Sequence, residues 1–183
     1  MDKSVEEYEE IIHNIFSQGD ERYSNTLSEN NLINFLKSDS IIIQTKDISS
    51  INQNINEKSD DIPGPQKELK LLTMHLFGEF GINLIGFEKR VSYGIPDVVG
   101  KKENKTIYVE CGPCRIDKGF NYLKEENVEL WVVTSEFDPK SPKISKSWLY
   151  TIKRGPNWYN SIKEHDDSIK QILKKVRNPL DTI

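Results

Sequence analysis

The chain has 183 residues, of which 30 % are charged and 36 % hydrophobic, and a formal net charge of −4. That length suits one domain of ordinary size plus an appendage, and no apolar run approaches the roughly 20 residues of a membrane span. Net acidity argues against indiscriminate nucleic-acid binding, and 2 cysteines with 3 histidines are too few for a disulfide framework or an all-protein zinc site.

The charge is unevenly spread: residues 1–61 carry 5 basic and 13 acidic side chains, residues 62–139 carry 10 and 12, and residues 140–183 carry 10 and 4. A basic C-terminal part on an acidic chain points to a polyanionic partner. Met1-Asp2-Lys3-Ser4 runs into an acidic segment instead of an apolar one, so no signal peptide is expected. The protein is expected to be soluble and cytoplasmic, without a membrane partner.

In chain order, Val5, Tyr8, Ile11, Ile12 and Ile15 recur at helical spacing after Ser4, a candidate N-cap, with Glu6 and Glu7 in the first turn. Ser28 opens a second, shorter helix over Asn30–Lys37, and Ser40–Thr45 reads as a short strand. The Asn, Ser, Asp and Lys of residues 46–64 read as a linker or mobile loop. This divides the chain into an acidic helical appendage (1–45), a linker (46–64) and a main α/β domain (65–183).

The main domain opens at Pro65, suited to the first turn of a helix that runs to Phe80 and stops at Gly81, with Leu69, Leu72, Leu76 and Phe80 along one stripe. Residues 82–92 read as a first strand. Two further apolar runs, Ile95–Val99 and Thr106–Val109, flank the polar segment Lys101–Lys105, the pattern of two strands joined by a tight reversal. A helix over Ile116–Glu126, a strand over Val128–Thr134 and a basic, aromatic extension with a final helix over Ser161–Val176 complete the chain.

If Glu103-Asn104 form a two-residue loop, Asp97 lies directly opposite Glu110 on one sheet face; a four-residue loop from Lys102 to Lys105 keeps that register, whereas a three-residue loop would send the acids to opposite faces. Directly opposed residues have Cβ atoms roughly 5 Å apart, so two carboxylates there call for a positive charge between them, and a divalent cation is the obvious candidate. The separate readings are Asp97 as a turn residue and Glu110 as an exposed strand acid.

Gly94-Ile95-Pro96-Asp97, followed by Glu110 on the next strand and preceded by a helix bearing Glu68, resembles the core of the PD-(D/E)XK nuclease superfamily. The resemblance covers about 70 residues and implies a restriction-endonuclease-like core: helix, three-strand meander, helix, strand. It further implies Mg²⁺ or Mn²⁺ held by Asp97, Glu110 and the backbone carbonyl of Cys111, all hard oxygen donors, with Glu68 assisting. Glu68 also fits as an acid favoured by the helix dipole. The family places a lysine two residues after the glutamate, where this chain has Gly112. Lys118, on the following helix, is the expected substitute, with Lys124 and Lys102 in reserve.

Cys111-Gly112-Pro113-Cys114 is identical to the thioredoxin active-site motif, in which a helix N-terminus lowers the pKa of the first cysteine. It lacks that family's preceding aromatic residue and its βαβ approach, and a redox role for Cys111 and Cys114 stands as the alternative. Arg115, Lys153 and Arg154 are the candidate phosphate contacts, with Trp148, Tyr150, Trp158 and Tyr159 as stacking or core aromatics. The expected activity is Mg²⁺-dependent phosphodiester hydrolysis of nucleic acid, DNA ahead of RNA. A non-cutting binding module of the same fold is the other alternative, and a homodimer is compatible with the chain.

Overall fold

The computed structural model describes residues 4–17, 37–136 and 146–160. The helices expected over Asn30–Lys37 and Ser161–Val176 lie outside the described residues, apart from Lys37 itself.

The elements are α1 (Val5–Ile15), β1 (Phe16–Ser17), β2 (Ile41–Asp47), α2 (Ser49–Gln53), α3 (Lys67–Phe80), β3 (Asn83–Phe87), β4 (Val98–Lys102), β5 (Lys105–Cys111), β6 (Cys114–Arg115), α4 (Ile116–Leu123), β7 (Val128–Glu136) and β8 (Lys146–Arg154). Six strands form one mixed sheet in the order β2-β8-β7-β5-β4-β3. Only β5 and β7 pair in parallel within it, because α4 carries the chain over between them; every other pairing is antiparallel. The protein is therefore an α/β fold with helices against a mixed sheet. No helix among the described residues is long and apolar enough to cross a membrane.

Strand alternation divides the core in two. Ile107, Val109 and Cys111 of β5, Trp131 and Val133 of β7 and Leu149 of β8 meet Leu72, Leu76 and Phe77 of α3. Their neighbours Tyr108, Leu130, Val132, Tyr150 and Ile152 meet α1 and α4 through Ile12, Ile15, Phe120, Tyr122 and Leu123. The central strand β5 is buried from Ile107 onward because a helical layer covers each face.

Local chemistry sets the boundaries. Ser4 caps α1 through its hydroxyl, which accepts from Glu7 N at 3.2 Å. Gly81 ends α3 in the left-handed conformation, φ 68°, its N–H turned back to Phe77 O. The β4–β5 turn is the two-residue loop Glu103-Asn104, with Glu103 at φ 56°, and it sets Val98 opposite Val109 and Lys102 opposite Lys105. The first strand of the meander is shorter than the 82–92 read from sequence: after Phe87 the chain leaves the sheet and closes a small turn through a Val91–Gly94 bridge.

The N-terminal part differs from the expected appendage. β2 pairs with β8 over seven residues as an edge of the main sheet, and α1 buries Ile12 and Ile15 in the same cluster as Tyr122. Nor are residues 46–64 a bare linker. Ile48 is fully buried, and the Ser and Asn side chains that suggested disorder make cross-links instead: Ser49 Oγ accepts from Ser147 N at 3.0 Å, and Asn52 Nδ2 donates to Ser147 Oγ at 2.8 Å. Polar composition alone does not distinguish these uses.

Candidate active site

Asp97 and Glu110 come together at one end of the meander. Asp97 precedes the first paired residue of β4, and its Oδ2 accepts from Cys111 N, one residue past Glu110, at 2.7 Å. That bond ties the aspartate to the end of β5 and holds the two acids on neighbouring strands. The Asp97 charge acts on Glu110, raising its pKa.

Glu110 is 7 % exposed, and two groups from α4 meet its Oε1: Lys118 Nζ at 2.7 Å and the Tyr122 hydroxyl at 3.1 Å. Lys118 and Tyr122 are four residues apart, so one helical face delivers both. Burial is the main reason that the Glu110 carboxyl is raised to about 7, against the lowering pull of Lys118 and Tyr122 and with Asp97 adding to the rise. Burial also raises the Tyr122 hydroxyl, with the Glu110 charge adding to the effect, so that Tyr122 stays a neutral donor.

The residues before Asp97 serve this arrangement. A Cβ on Gly94 would stand 3.1 Å from the Tyr122 hydroxyl and 3.6 Å from Lys118 Cε, so the glycine lets the chain pass close against the α4 pair. Lys118 Nζ also donates to Ile95 O at 3.2 Å, and Glu88 N to Asp97 O at 3.1 Å.

Gly112, at the position where a lysine was expected, continues the pairing with β7 by donating to Val133 O at 2.8 Å. Its φ is 97°, a conformation that side-chain-bearing residues seldom adopt. Space is not the obstacle, since the nearest atom to an added Cβ is Gln66 Nε2 at 4.0 Å. The backbone conformation disfavours a lysine here, and the cation beside Glu110 comes from α4.

Glu68 is exposed on α3 and lines a surface groove with Asn52, Glu57, Asp60 and Leu71. The residues that α3 turns toward the end of β5 are Thr73, whose Oγ1 is 3.8 Å from Cys111 Sγ, and Lys70. Lys70 is fully buried, donating to Pro63 O at 2.8 Å and Glu88 Oε1 at 3.1 Å. Sequence reading missed Tyr122, Lys70 and Thr73; Tyr122 alone had a signal, its four-residue spacing from Lys118.

The reserve lysine Lys102 donates to Phe80 O at 2.8 Å, at the C-terminal end of α3. Arg154 spends its guanidinium on the C-terminal end of α4, with Nε to Leu123 O and Nη2 to Lys124 O both at 2.6 Å, and Nη1 to the Tyr159 hydroxyl at 3.0 Å. Lys153 is exposed on β8, and the side chain of Arg115 lies outside the described residues. Tyr150 and Trp158 are core residues, Trp158 stacked on Phe120, while Tyr159 is exposed.

Cys111 and Cys114 are not joined in a disulfide, and both are buried. They belong to different clusters: Cys111 packs with α3, Cys114 with α1 and α4. Burial, with the Asp97 charge adding to it, pushes the Cys111 thiol up to about 12. A redox dithiol needs an accessible thiol of lowered pKa; both of these thiols are buried, and that of Cys111 is raised.

No protein-family model matches this chain, and neither the curated proteins nor the solved structures include a significant match to it.

Proposed function

We propose that the chain is a cytoplasmic, metal-dependent nuclease with a restriction-endonuclease-like core of the PD-(D/E)XK type, acting on DNA ahead of RNA. The single observation that carries this reading is the convergence of Asp97, Glu110 and Lys118 at one end of the meander, with Lys118 Nζ 2.7 Å from Glu110 Oε1. The order α3, then β3-β4-β5, then α4, then β7 parallel to β5 supports it at the level of topology.

The donor set fits Mg²⁺ or Mn²⁺. Among the described residues no group of three or more His, Cys, Asp or Glu is disposed to hold a metal ion. Magnesium, however, is bound by one or two carboxylates plus water and substrate phosphate, not by a full protein cage. Asp97 and Glu110 would hold it, with the Cys111 carbonyl as a third oxygen. Such an ion supplies charge neutralisation for a phosphodiester transition state and lowers the pKa of attacking water.

The chain's own groups do the rest. Lys118 and Tyr122 both engage Oε1 of Glu110 and fix the carboxylate. The Asp97 hydrogen bond from Cys111 N keeps one carboxylate oxygen oriented. Lys118, on the flank of the site, brings positive charge toward an incoming phosphate.

A specific observation favours a second reading, a nucleic-acid-binding module that does not cut: Glu110 already has an internal counter-ion in Lys118. One assay separates the two. Purified protein is incubated with plasmid and single-stranded DNA in Mg²⁺, Mn²⁺ or EDTA. A nuclease cuts only with metal, and Asp97→Ala or Glu110→Ala lowers the rate by at least about a hundredfold, the scale of losing electrostatic stabilisation in a site of this kind. Cutting that survives EDTA or both substitutions would falsify the nuclease reading. Retained binding with no cutting in any metal would establish the module.

A further inference from the structure

The turn before Asp97 carries a feature that the hydrolytic residues do not explain. Tyr93 is 40 % and Ile95 43 % exposed, although both are large apolar side chains. They flank Gly94, which lies against the Tyr122 hydroxyl and Lys118 Cε, so both stand within two residues of the contact that holds Glu110. Lys89 and Arg90 are exposed at the start of the same turn. On a chain of net charge −4, the turn from Glu88 to Asp97 holds two cations, Lys89 and Arg90, against two acids, Glu88 and Asp97. One of these acids, Glu88, is already paired with Lys70.

The turn is also fixed. Val91 N donates to Gly94 O at 2.8 Å, Glu88 N to Asp97 O at 3.1 Å and Lys118 Nζ to Ile95 O at 3.2 Å, which pins it at both ends and in the middle. An aromatic ring presented by a preorganised backbone loses little freedom when it stacks on a partner. Cations beside it suit a phosphate backbone.

We propose that Tyr93 is a base-stacking residue and that the substrate strand is single-stranded, or locally unpaired, where it crosses the site. This rests on the nuclease reading for its ligand class and adds the conformation of that ligand. A base pair in a continuous duplex offers neither face to a ring, since both are covered by the neighbouring pairs. An unpaired base offers its face without regard to sequence. Lys89 and Arg90 contact phosphates on the same strand, and Ile95 supports the base edge.

The test measures binding by the full chain in EDTA, where no cleavage intervenes. The probes are a short fluorescein-labelled DNA single strand and the duplex it forms with its complement, followed by anisotropy. The single strand is expected to bind more tightly than the duplex. Tyr93→Ala should weaken single-strand binding about fivefold to a hundredfold, the range for losing one stacked base, while Tyr93→Phe retains it. Lys89→Ala with Arg90→Ala should flatten the dependence of affinity on salt. Circular dichroism checks that these exposed substitutions leave the fold intact.

Equal affinity of wild type and Tyr93→Ala, or a preference for duplex, overturns the proposal. So does loss of self-association on sedimentation of Tyr93→Ala with binding unchanged, which would make the turn an interface between copies. The cleavage assay is read in parallel. Metal-dependent cutting that is indifferent to Tyr93 removes this proposal and leaves the nuclease reading standing; Tyr93-dependent single-strand binding without cutting removes only the nuclease reading.

Discussion

Glu110 shows how one side chain is set by three layers of its surroundings. Strand β5 buries it, α4 supplies a cation and a hydroxyl to one oxygen, and Asp97 on the neighbouring strand adds a like charge. Burial is the largest of these influences, so the carboxyl is raised to about 7 from an ordinary value near 4.5. An acid whose pKa is higher folded than unfolded holds more protons in the native state between those values. Its folding contribution is therefore full below the unfolded value and declines as pH rises through the folded one. Metal-free protein should lose stability between about pH 4.5 and about pH 7 on account of this group. Urea denaturation of wild type and Glu110→Gln across that range checks it: the advantage of the variant should widen with pH, and a difference independent of pH would show that folding does not raise the pKa of this carboxyl. The acids and the substitute lysine were legible in sequence, because loop length fixes strand register and Lys118 is on the next element. Tyr122 was less so, since its role depends on the way α4 faces the sheet.

At the scale of elements, the packing of α3 on β4 depends on the absence of a side chain. A Cβ at Gly100 would come within 2.6 Å of Ile82 Cγ2 and of Phe77 Cε2, so the strand and the helix terminus approach through that gap. Gly100→Ala should destabilise the protein by about 1–3 kcal/mol, the usual cost of overpacking a tight core. Equilibrium unfolding in urea measures it, and an unchanged midpoint would mean that α3 moves away freely. The register of the β4–β5 hairpin was readable because two polar residues leave room for one tight turn. The orientation of α3 was not. Its stripe of Leu72, Leu76 and Phe77 identifies the buried face, but nothing along the helix says that Glu68 faces an outer groove while Lys70 is buried beside Glu88. A buried lysine depends on partners supplied by distant segments, here Pro63 and Glu88.

For the whole molecule, the N-terminal part belongs to the core. β2 covers one edge of β8, and Ile12, Ile15, Ile41 and Ile43 are all buried in the cluster shared with α4 and β8. Burying an isoleucine is worth about 1.5–3 kcal/mol, so losing four such residues is comparable to a typical folding margin of about 5–15 kcal/mol. Deleting residues 1–47 should abolish cooperative unfolding or yield insoluble protein, judged by circular dichroism and urea titration. A truncated chain with the wild-type midpoint would restore the picture of a separable appendage. The acidic composition of this part suggested separateness because composition reports the solvent-facing residues. The few isoleucines that decide its attachment are a minority of the segment.

By itself the sequence determined the α/β class and the order of helix, meander, helix and strand, and it tied the register of Asp97 and Glu110 to the length of one short loop. Each depends on short-range periodicity and turn length, which are local properties of the chain. Only the tertiary structure decided that Tyr122 joins Lys118 on Glu110, that the two cysteines sit in different halves of the core, and that β2 joins the sheet at an edge remote in sequence. Those outcomes follow from contacts between residues far apart along the chain, where helix orientation, backbone conformation at Gly112 and the competition for burial are settled together.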